Sequence, residues 1–320
     1  MSRVLLTGGG GFVGQWLTRA LLERGDEVTL TGLGSLSAGP AILTESERRA
    51  VRWLPVDVRR QSDVDAAIEG SLPDLIVHLA GVAFPPQADR DPASAYDINA
   101  LGVARLLAAV ARRRASGVAD PKVIVVGSAT QYGTHDASDM PLTEEAAQRP
   151  ATIYAASKAA QEVIALRDYY ASGARVICTR SFNHSGPGHA AEYLLPSLVR
   201  RAKAIRRGES TGVTIGNDVI RDYLHVSDVV AAYLALATHG TPGETYNVCS
   251  GIGVSVRQLA TDVLLRAGMT PDISAEASLS RTTDIPVLIG SPAKLVRDTG
   301  WAPRKTHADI IDDLLNASTD

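Results

Sequence analysis

Short apolar runs alternate with amphipathic stretches along most of the chain. Arg3-Val4-Leu5-Leu6-Thr7 is the first such run, and it enters Gly8-Gly9-Gly10-Gly11-Phe12-Val13-Gly14. Val13, Leu17, Ala20 and Leu21 then recur at helical spacing until Gly25, so the order is strand, glycine turn, helix. Further strands are expected over residues 27–30, 51–56, 74–81, 122–126 and 174–179, with an Ala-rich helix over 93–114 and another from Tyr154 to about residue 171. Strands alternating with helices in this way make an α/β fold, a doubly wound parallel sheet with helices on both faces. Residues 82–86, with Phe84-Pro85-Pro86, read as a loop over the cleft, because proline cannot continue a helix. Sheet periodicity stops at Arg180-Ser181-Phe182-Asn183-His184-Ser185-Gly186-Pro187-Gly188. There a second lobe is expected to start, with a helix over 193–207 and a short strand over 213–215. Residues 218–228 then return the chain to the sheet, Asp228 caps a helix over 229–236, and 245–248 form another strand. The expected division is a sheet domain of residues 1–182 plus 213–250 and a smaller C-terminal, substrate-binding lobe of 183–212 and 251–320.

With 320 residues the chain can bury a substantial core, as one large domain or two smaller ones. Thirty-two Lys and Arg against 35 Asp and Glu leave a formal charge of −3, too weak a field to draw in nucleic acid or an anionic membrane. The runs Arg112-Arg113-Arg114 and Arg200-Arg201…Arg206-Arg207 accordingly read as solvated helix faces. No run approaches the roughly 18 apolar residues of a membrane span, and the N-terminus passes into the first strand without a signal-peptide pattern. A soluble, cytoplasmic protein is expected. The two cysteines, Cys178 and Cys249, sit in apolar strand-like runs and read as buried thiols, not as a disulfide framework or metal site.

Glycines 8, 11 and 14 would permit a tight turn, a close approach of backbone N–H groups to a pyrophosphate, and close packing of helix on strand. The second strand ends in Thr31-Gly32-Leu33-Gly34, without the acidic residue that usually holds an NAD ribose. That absence tilts the choice towards NADP(H), although no adjacent Arg supports it. Asp57 and Val58 end the third strand, where Asp57 either contacts adenine or caps the next helix. Leu79, Ala80 and Gly81 end the fourth, and their small size would let a dinucleotide pass. In an open α/β sheet, ligands bind at the carboxyl ends of strands, which is where Ser128 falls at the end of the fifth. Tyr154 and Lys158, four residues apart on one helical face, could form a proton-transfer unit, the ammonium favouring the phenolate.

The ordered set G-x-x-G-x-x-G, His-Leu-Ala-Gly, Asn99, Ser128, Tyr154-x-x-x-Lys158, Arg-Ser-Phe-Asn-His-Ser-Gly-Pro-Gly, Arg-Asp-Tyr-Leu-His-Val-Ser-Asp and Tyr-Asn-Val-Cys-Ser-Gly resembles the extended short-chain dehydrogenase/reductases that act on nucleotide sugars. Residues 180–189 and Arg281-x-x-Asp284-x-Pro286…Gly300-Trp301-x-Pro303 look most like GDP-4-keto-6-deoxy-mannose reductases and the related GDP-mannose dehydratases. The resemblance implies a Rossmann-fold domain that binds NADP(H) or NAD(H) through Gly8, Gly11, Phe12, Val13, Gly14, Asp57, Val58, Leu79, Ala80 and Gly81. It implies that Ser128, Tyr154 and Lys158 are catalytic: Tyr154 exchanges a proton with a sugar oxygen, Ser128 hydrogen-bonds that oxygen, and Lys158 holds the nicotinamide ribose. Asn99 would support Lys158 and the backbone around the cofactor. Asn183, Arg221 and Arg281 match positions that contact the nucleotide sugar, while His184 either faces the nicotinamide or fills its turn. Ala129 and Thr130 stand where sugar 4,6-dehydratases carry a polar or acidic residue and then a glutamate, so dehydration is not expected. The expected activity is reduction of a nucleotide-linked, by preference GDP-linked, 4-keto-6-deoxyhexose. The alternative is a nucleotide-sugar 4-epimerase, since Ser-Ala-Thr before x-Tyr-Gly is also an epimerase pattern, and a non-catalytic NAD(P)-binding regulator is a third reading. A homodimer through helices 93–114 and 154–171 is implied, with no nucleic-acid or membrane partner.

Overall fold

The computed structural model describes the chain except residues 277, 278, 280–283 and 318–320; Arg281 therefore lies outside the described residues. Strands β1 (Arg3–Thr7), β2 (Glu27–Gly32), β3 (Arg52–Pro55), β4 (Leu75–His78), β5 (Lys122–Ser128) and β6 (Val176–Ser181) are followed by β7 (Asn183–Ser185), β8 (Val213–Ile215), β9 (Ile220–His225) and β10 (Thr245–Val248). After these come β11 (Gly253–Ser255), β12 (Ile273–Ala275) and β13 (Val287–Leu288). A seven-stranded sheet runs β10-β6-β5-β4-β1-β2-β3, every pair parallel. Parallel strands covered on both faces read as nearly continuous apolar runs, as Leu75-Ile76-Val77 does in the fully buried Leu75–His78. The order reverses between β1 and β4, which opens a crevice at their carboxyl ends.

Two cores lie on the sheet's faces. Leu6, Leu17, Leu21, Leu30, Leu236 and Tyr246 belong to one, and Leu5, Ile76, Leu106, Val123 and Val176 to the other. Leu198, Ile215, Leu259, Val263, Ile310 and Leu314 form a separate core in the C-terminal part of the chain.

Several local expectations need correction. The helix expected over 93–114 is interrupted: Pro92–Tyr96 and Gly102–Ala115 are joined by a π-helical turn, Asp97–Leu101. Such turns bulge one residue out of register, and here Asn99 is turned into the interior. Residues 82–86 are not wholly loop, because Pro85 and Pro86 open a short helix, Pro85–Arg90, at positions whose N–H groups have no helical partner in any case. Of the segment 213–250, only β10 joins the large sheet. β8 pairs with β12, and β9 pairs with β7, β11 and β13. The helix after β9 starts at Val226 and is capped by the His225 ring, which accepts from Ser227 N at 3.1 Å. Asp228 is instead taken up by the backbone N–H groups of Arg304 (3.0 Å) and Lys305 (2.9 Å). Cys178 and Cys249 are free and buried.

Candidate active site

A cleft of about 1690 Å³ lies over the β1/β4 reversal and extends between the sheet and the C-terminal core. Its floor is the turn after β1. Gly8 has φ +68°, and a Cβ there would lie 2.7 Å from Ala80 N. A Cβ on Gly14 would lie 2.6 Å from Gly9 O. Both positions therefore exclude any side chain, which is how the loop at Leu79-Ala80-Gly81 and the helix Phe12–Glu23 come so close to β1. That helix starts at Gly11 with no side-chain cap, so its first N–H groups are left for an anion in the cleft. Gly8, Gly11, Phe12, Val13, Gly14, Leu79, Ala80 and Gly81 all line the cleft.

Asp57 and Val58 do not line it. Asp57 takes hydrogen bonds from Arg59 N at 3.0 Å and Arg59 Nη2 at 2.7 Å, and Val58 is buried in the protein. A guanidinium two residues away pairs with the carboxylate, which does not cap the next helix, Gln61–Ser71.

Ser128 ends β5. Tyr154 and Lys158 stand on the helix Ile153–Ser172, which Thr152 caps by accepting from Ala155 N at 3.2 Å and which ends at Gly173 in the left-handed region. All three side chains face the cleft. Burial pushes the Tyr154 phenol up to about 12, against a smaller lowering by the Ser128 hydroxyl. The expectation that Lys158 would favour the phenolate therefore fails. Lys158 donates to Val126 O at 2.9 Å and to Gln161 Oε1 at 3.0 Å, while burial lowers it to about 8. Desolvation outweighs attraction in both groups, leaving a protonated phenol beside an ammonium that is readily neutralised.

The supporting layer is well tied. Asn99 Oδ1 accepts from Val82 N at 2.8 Å, and its Nδ2 donates to Val82 O (3.2 Å) and Ser157 Oγ (2.8 Å). A Cβ on Gly81 would lie 2.8 Å from Asn99 Oδ1 and 3.4 Å from Lys158 Nζ. Asn99 therefore orders the loop above Lys158 without lining the cleft. Ser128 Oγ and Thr130 Oγ1 are 2.9 Å apart, and Gln131 Oε1 accepts from Ser128 N at 2.8 Å. No carboxylate lies between Ser128 and Gly133.

At the far end, Asn183, His184 and Arg221 line the cleft. His184 shares a 2.9 Å hydrogen bond with Phe182 O. Arg221 is buried enough for desolvation to lower its pKa; its Nη1 donates to Ile220 O at 2.9 Å, and it makes no ion pair among the described residues. A half-buried guanidinium that faces the cleft without a carboxylate partner is suited to binding oxyanions. Sequence reasoning missed several cleft residues. Arg201, read as part of a solvated run, lines the cleft and donates to Thr214 O. His189 and Tyr193 stack in series with the Phe12 that sequence reasoning had named, with centroids 4.5 and 4.2 Å apart. Trp53 reaches in from β3. None of these carries a local signal beyond its residue type.

A family model described as GDP-mannose 4,6 dehydratase matches residues 5–314. The chain belongs to this family. It is 36% identical over 247 residues to the GDP-6-deoxy-D-mannose reductase of Pseudomonas aeruginosa, covering 77% of this chain and 80% of that relative. It is also 28% identical to the UDP-glucose 4-epimerase of Streptomyces lividans over 97% of this chain and 94% of that one. Among solved structures, RMD from Pseudomonas aeruginosa complexed with NADPH superposes with a TM-score of 0.82 at 30% identity, covering 98% of both chains. Thermus thermophilus UDP-glucose 4-epimerase in complex with NAD gives 0.82 at 26% identity, covering 99% and 100%. The fold is thus Rossmann-like and the cofactor class is NAD(P). The glycine cradle, which a single Cβ would fill, fits such a dinucleotide. No described helix is long and apolar enough to cross a membrane.

Proposed function

We propose that this protein is an NAD(P)H-dependent reductase of a nucleotide-linked 4-keto-6-deoxyhexose, with GDP the favoured nucleotide. One observation carries the reading: Ser128, Tyr154 and Lys158 line one cleft, Ser128 is hydrogen-bonded to the Tyr154 phenol, and the turn after Ser128 holds no carboxylate. A reductase needs a proton donor at the carbonyl oxygen, whereas elimination of water needs an additional acid and base. When bound, the cofactor supplies the hydride to the keto carbon. Tyr154 gives its proton to the oxygen that becomes the alcohol, Ser128 hydrogen-bonds that oxygen, and Lys158 lies beside the place of the nicotinamide ribose. Asn183 and Arg221 hold the nucleotide diphosphate at the other end. In this reading residues 1–182 with 245–248 form the cofactor domain, and the C-terminal core carries the nucleotide-sugar site. Leu101, Val163 and Tyr170 are exposed on the neighbouring helices Gly102–Ala115 and Ile153–Ser172 or their junction, which suits a homodimer along that face.

The direct test supplies GDP-4-keto-6-deoxy-mannose with NADPH or NADH and follows loss of the reduced nicotinamide absorbance. Consumption of neither cofactor would remove the proposal. Epimerisation is the second reading, favoured by Ser128-Ala129-Thr130 before Tyr132-Gly133. Tightly held NAD after purification, with UDP- or GDP-sugars interconverted at no net redox change, would bring it forward.

A further inference from the structure

We infer that Trp53 leaves this chain open to both NADH and NADPH, by standing where a ribose-reading carboxylate would project from β2. The inference rests on reading the cleft as the dinucleotide site. Dinucleotide folds choose between NAD and NADP at the end of the second strand, with a carboxylate for the ribose 2′-hydroxyl or a cation for the 2′-phosphate. Here β2 ends at Gly32, and the indole of Trp53, which comes from the neighbouring strand β3, lies across that end. A Cβ on Gly32 would be 2.8 Å from Trp53 Cη2, and one on Gly10 would be 3.2 Å from it. Trp53 Nε1 donates to Gly34 O at 3.1 Å, which fixes the ring in place. The indole thus bridges the glycine turn under the pyrophosphate and the position that reads the ribose.

The surroundings leave that place without charge. Among the described residues, Leu33, Ser35, Ala38 and Pro40 line this end of the cleft with Trp53. Of the cations near Trp53 in sequence, Arg52 Nη1 donates to Gly70 O at 2.7 Å, Arg49 is paired with Glu45 at 3.0 Å and Arg59 with Asp57 at 2.7 Å, while Arg48, whose Nε is buried without a hydrogen-bond partner, does not line the cleft. A ribose at this end meets an aromatic wall and hydroxyls, with neither a carboxylate to repel a 2′-phosphate nor a guanidinium to pair with it. The chain therefore discriminates little between the two cofactors, and Trp53 is what keeps a carboxylate from being accommodated.

Calorimetric titration of NADPH and NADH into the full chain, without any sugar, tests this separately from turnover. The parent is expected to bind both with dissociation constants within about tenfold of each other. Gly32→Asp is expected to weaken both, because its Cβ meets the indole. Adding Trp53→Ala to Gly32→Asp is expected to recover NADH binding while NADPH stays roughly a hundredfold weaker. Trp53→Phe, which keeps a ring in the wall, serves as the folding control and is expected to retain parental selectivity. Parental selectivity of more than about a hundredfold, or a double variant no more NADH-selective than the parent, overturns the inference. Absence of binding by either cofactor to the folded parent refutes the inference together with its premise, whereas binding without sugar turnover refutes the reductase reading alone.

Discussion

Replacing Glu162 with alanine tests how the site is held, because Glu162 sits one turn beyond Lys158 on the same helix face and touches neither ligand region. Its side chain is 4% exposed and that of Arg180, on β6, is 7% exposed. The carboxylate accepts from Arg180 Nε (3.0 Å), Arg180 Nη2 (2.7 Å), Gln131 Nε2 (2.9 Å) and Gln148 Nε2 (2.8 Å). Gln131 is the link to chemistry, since its other amide atom accepts from Ser128 N. Alanine removes the carboxylate that accepts all four hydrogen bonds and leaves the Arg180 guanidinium buried, with Glu144 O (3.0 Å) and the ring of Tyr132 (4.7 Å) beside it. Breaking a buried pair from one side costs about 3–5 kcal/mol. The stranded amides add to that, each at about 1 kcal/mol or more. Replacing both partners, Glu162→Met with Arg180→Met, leaves no orphaned charge and is expected to cost less than the sum of the single changes. Gln131 then keeps only Gln148 Oε1, at 3.2 Å, as partner for its amide nitrogen, so its restraint on Ser128 weakens. Misplacement by about 1 Å lowers kcat by up to about a hundredfold, with KM for the nucleotide sugar little changed. Urea unfolding followed by circular dichroism gives the first quantity and steady-state rates the second. A Glu162→Ala protein within about 1 kcal/mol of the parent, or single costs that simply add in the double variant, would refute the reasoning.

Tyr154→Phe removes the proton donor while keeping the ring, so kcat/KM is expected to fall about 10²–10⁴-fold with cofactor affinity by calorimetry unchanged. Lys158 is held at about 8 against an ordinary 10.5, so its ammonium is lost as pH rises through about 8. Cofactor affinity should weaken above that pH in the parent and lose this dependence in Lys158→Met. Across about 8 to 10.5 the unfolded chain binds a proton that the folded chain does not, so this group makes stability rise with pH there. His78 is buried with its Nδ1 2.8 Å from Thr7 Oγ1, and burial with the nearby Lys158 lowers it to about 3. As pH falls from about 6.5 towards 3 the unfolded imidazole takes up a proton that the native one refuses, so stability is lost in that window. His78→Gln is expected to flatten that decline in urea midpoint; an unchanged slope counts against it.

What could be read from the chain alone, and what could not, follows the range of the interactions. The first strand, its glycine turn and helix were legible because each signal is local: an apolar run, side chains excluded at Gly8 and Gly14, and helical spacing from Val13. Tyr154 and Lys158 were legible for the same reason, being one turn apart. Asp57 was legible as a carboxylate ending the third strand, but its pairing with Arg59 two residues on depends on how the turn folds. Arg201 misled because an arginine run gives no sign of which member points inward; that depends on Thr214, a residue of β8, whose own partner β12 lies some sixty residues further along the chain. Strands β8 and β9 pair outside the main sheet, β8 with β12 and β9 with β7, β11 and β13. Periodicity within a strand records how much of it is buried, not which neighbour buries it. The shift of the Tyr154 phenol was the hardest to foresee. Spacing showed that an ammonium was within reach, but the sign of the shift depends on burial and on Lys158 turning to Val126 O, both products of the packed site. A phenol hydrogen-bonded to Ser128, with no carboxylate in the turn that follows, suits giving a proton to a ketone and lacks the added acid and base for taking water from a sugar. It emerges only when β5, the helix Ile153–Ser172 and the π-turn carrying Asn99 have closed on one another.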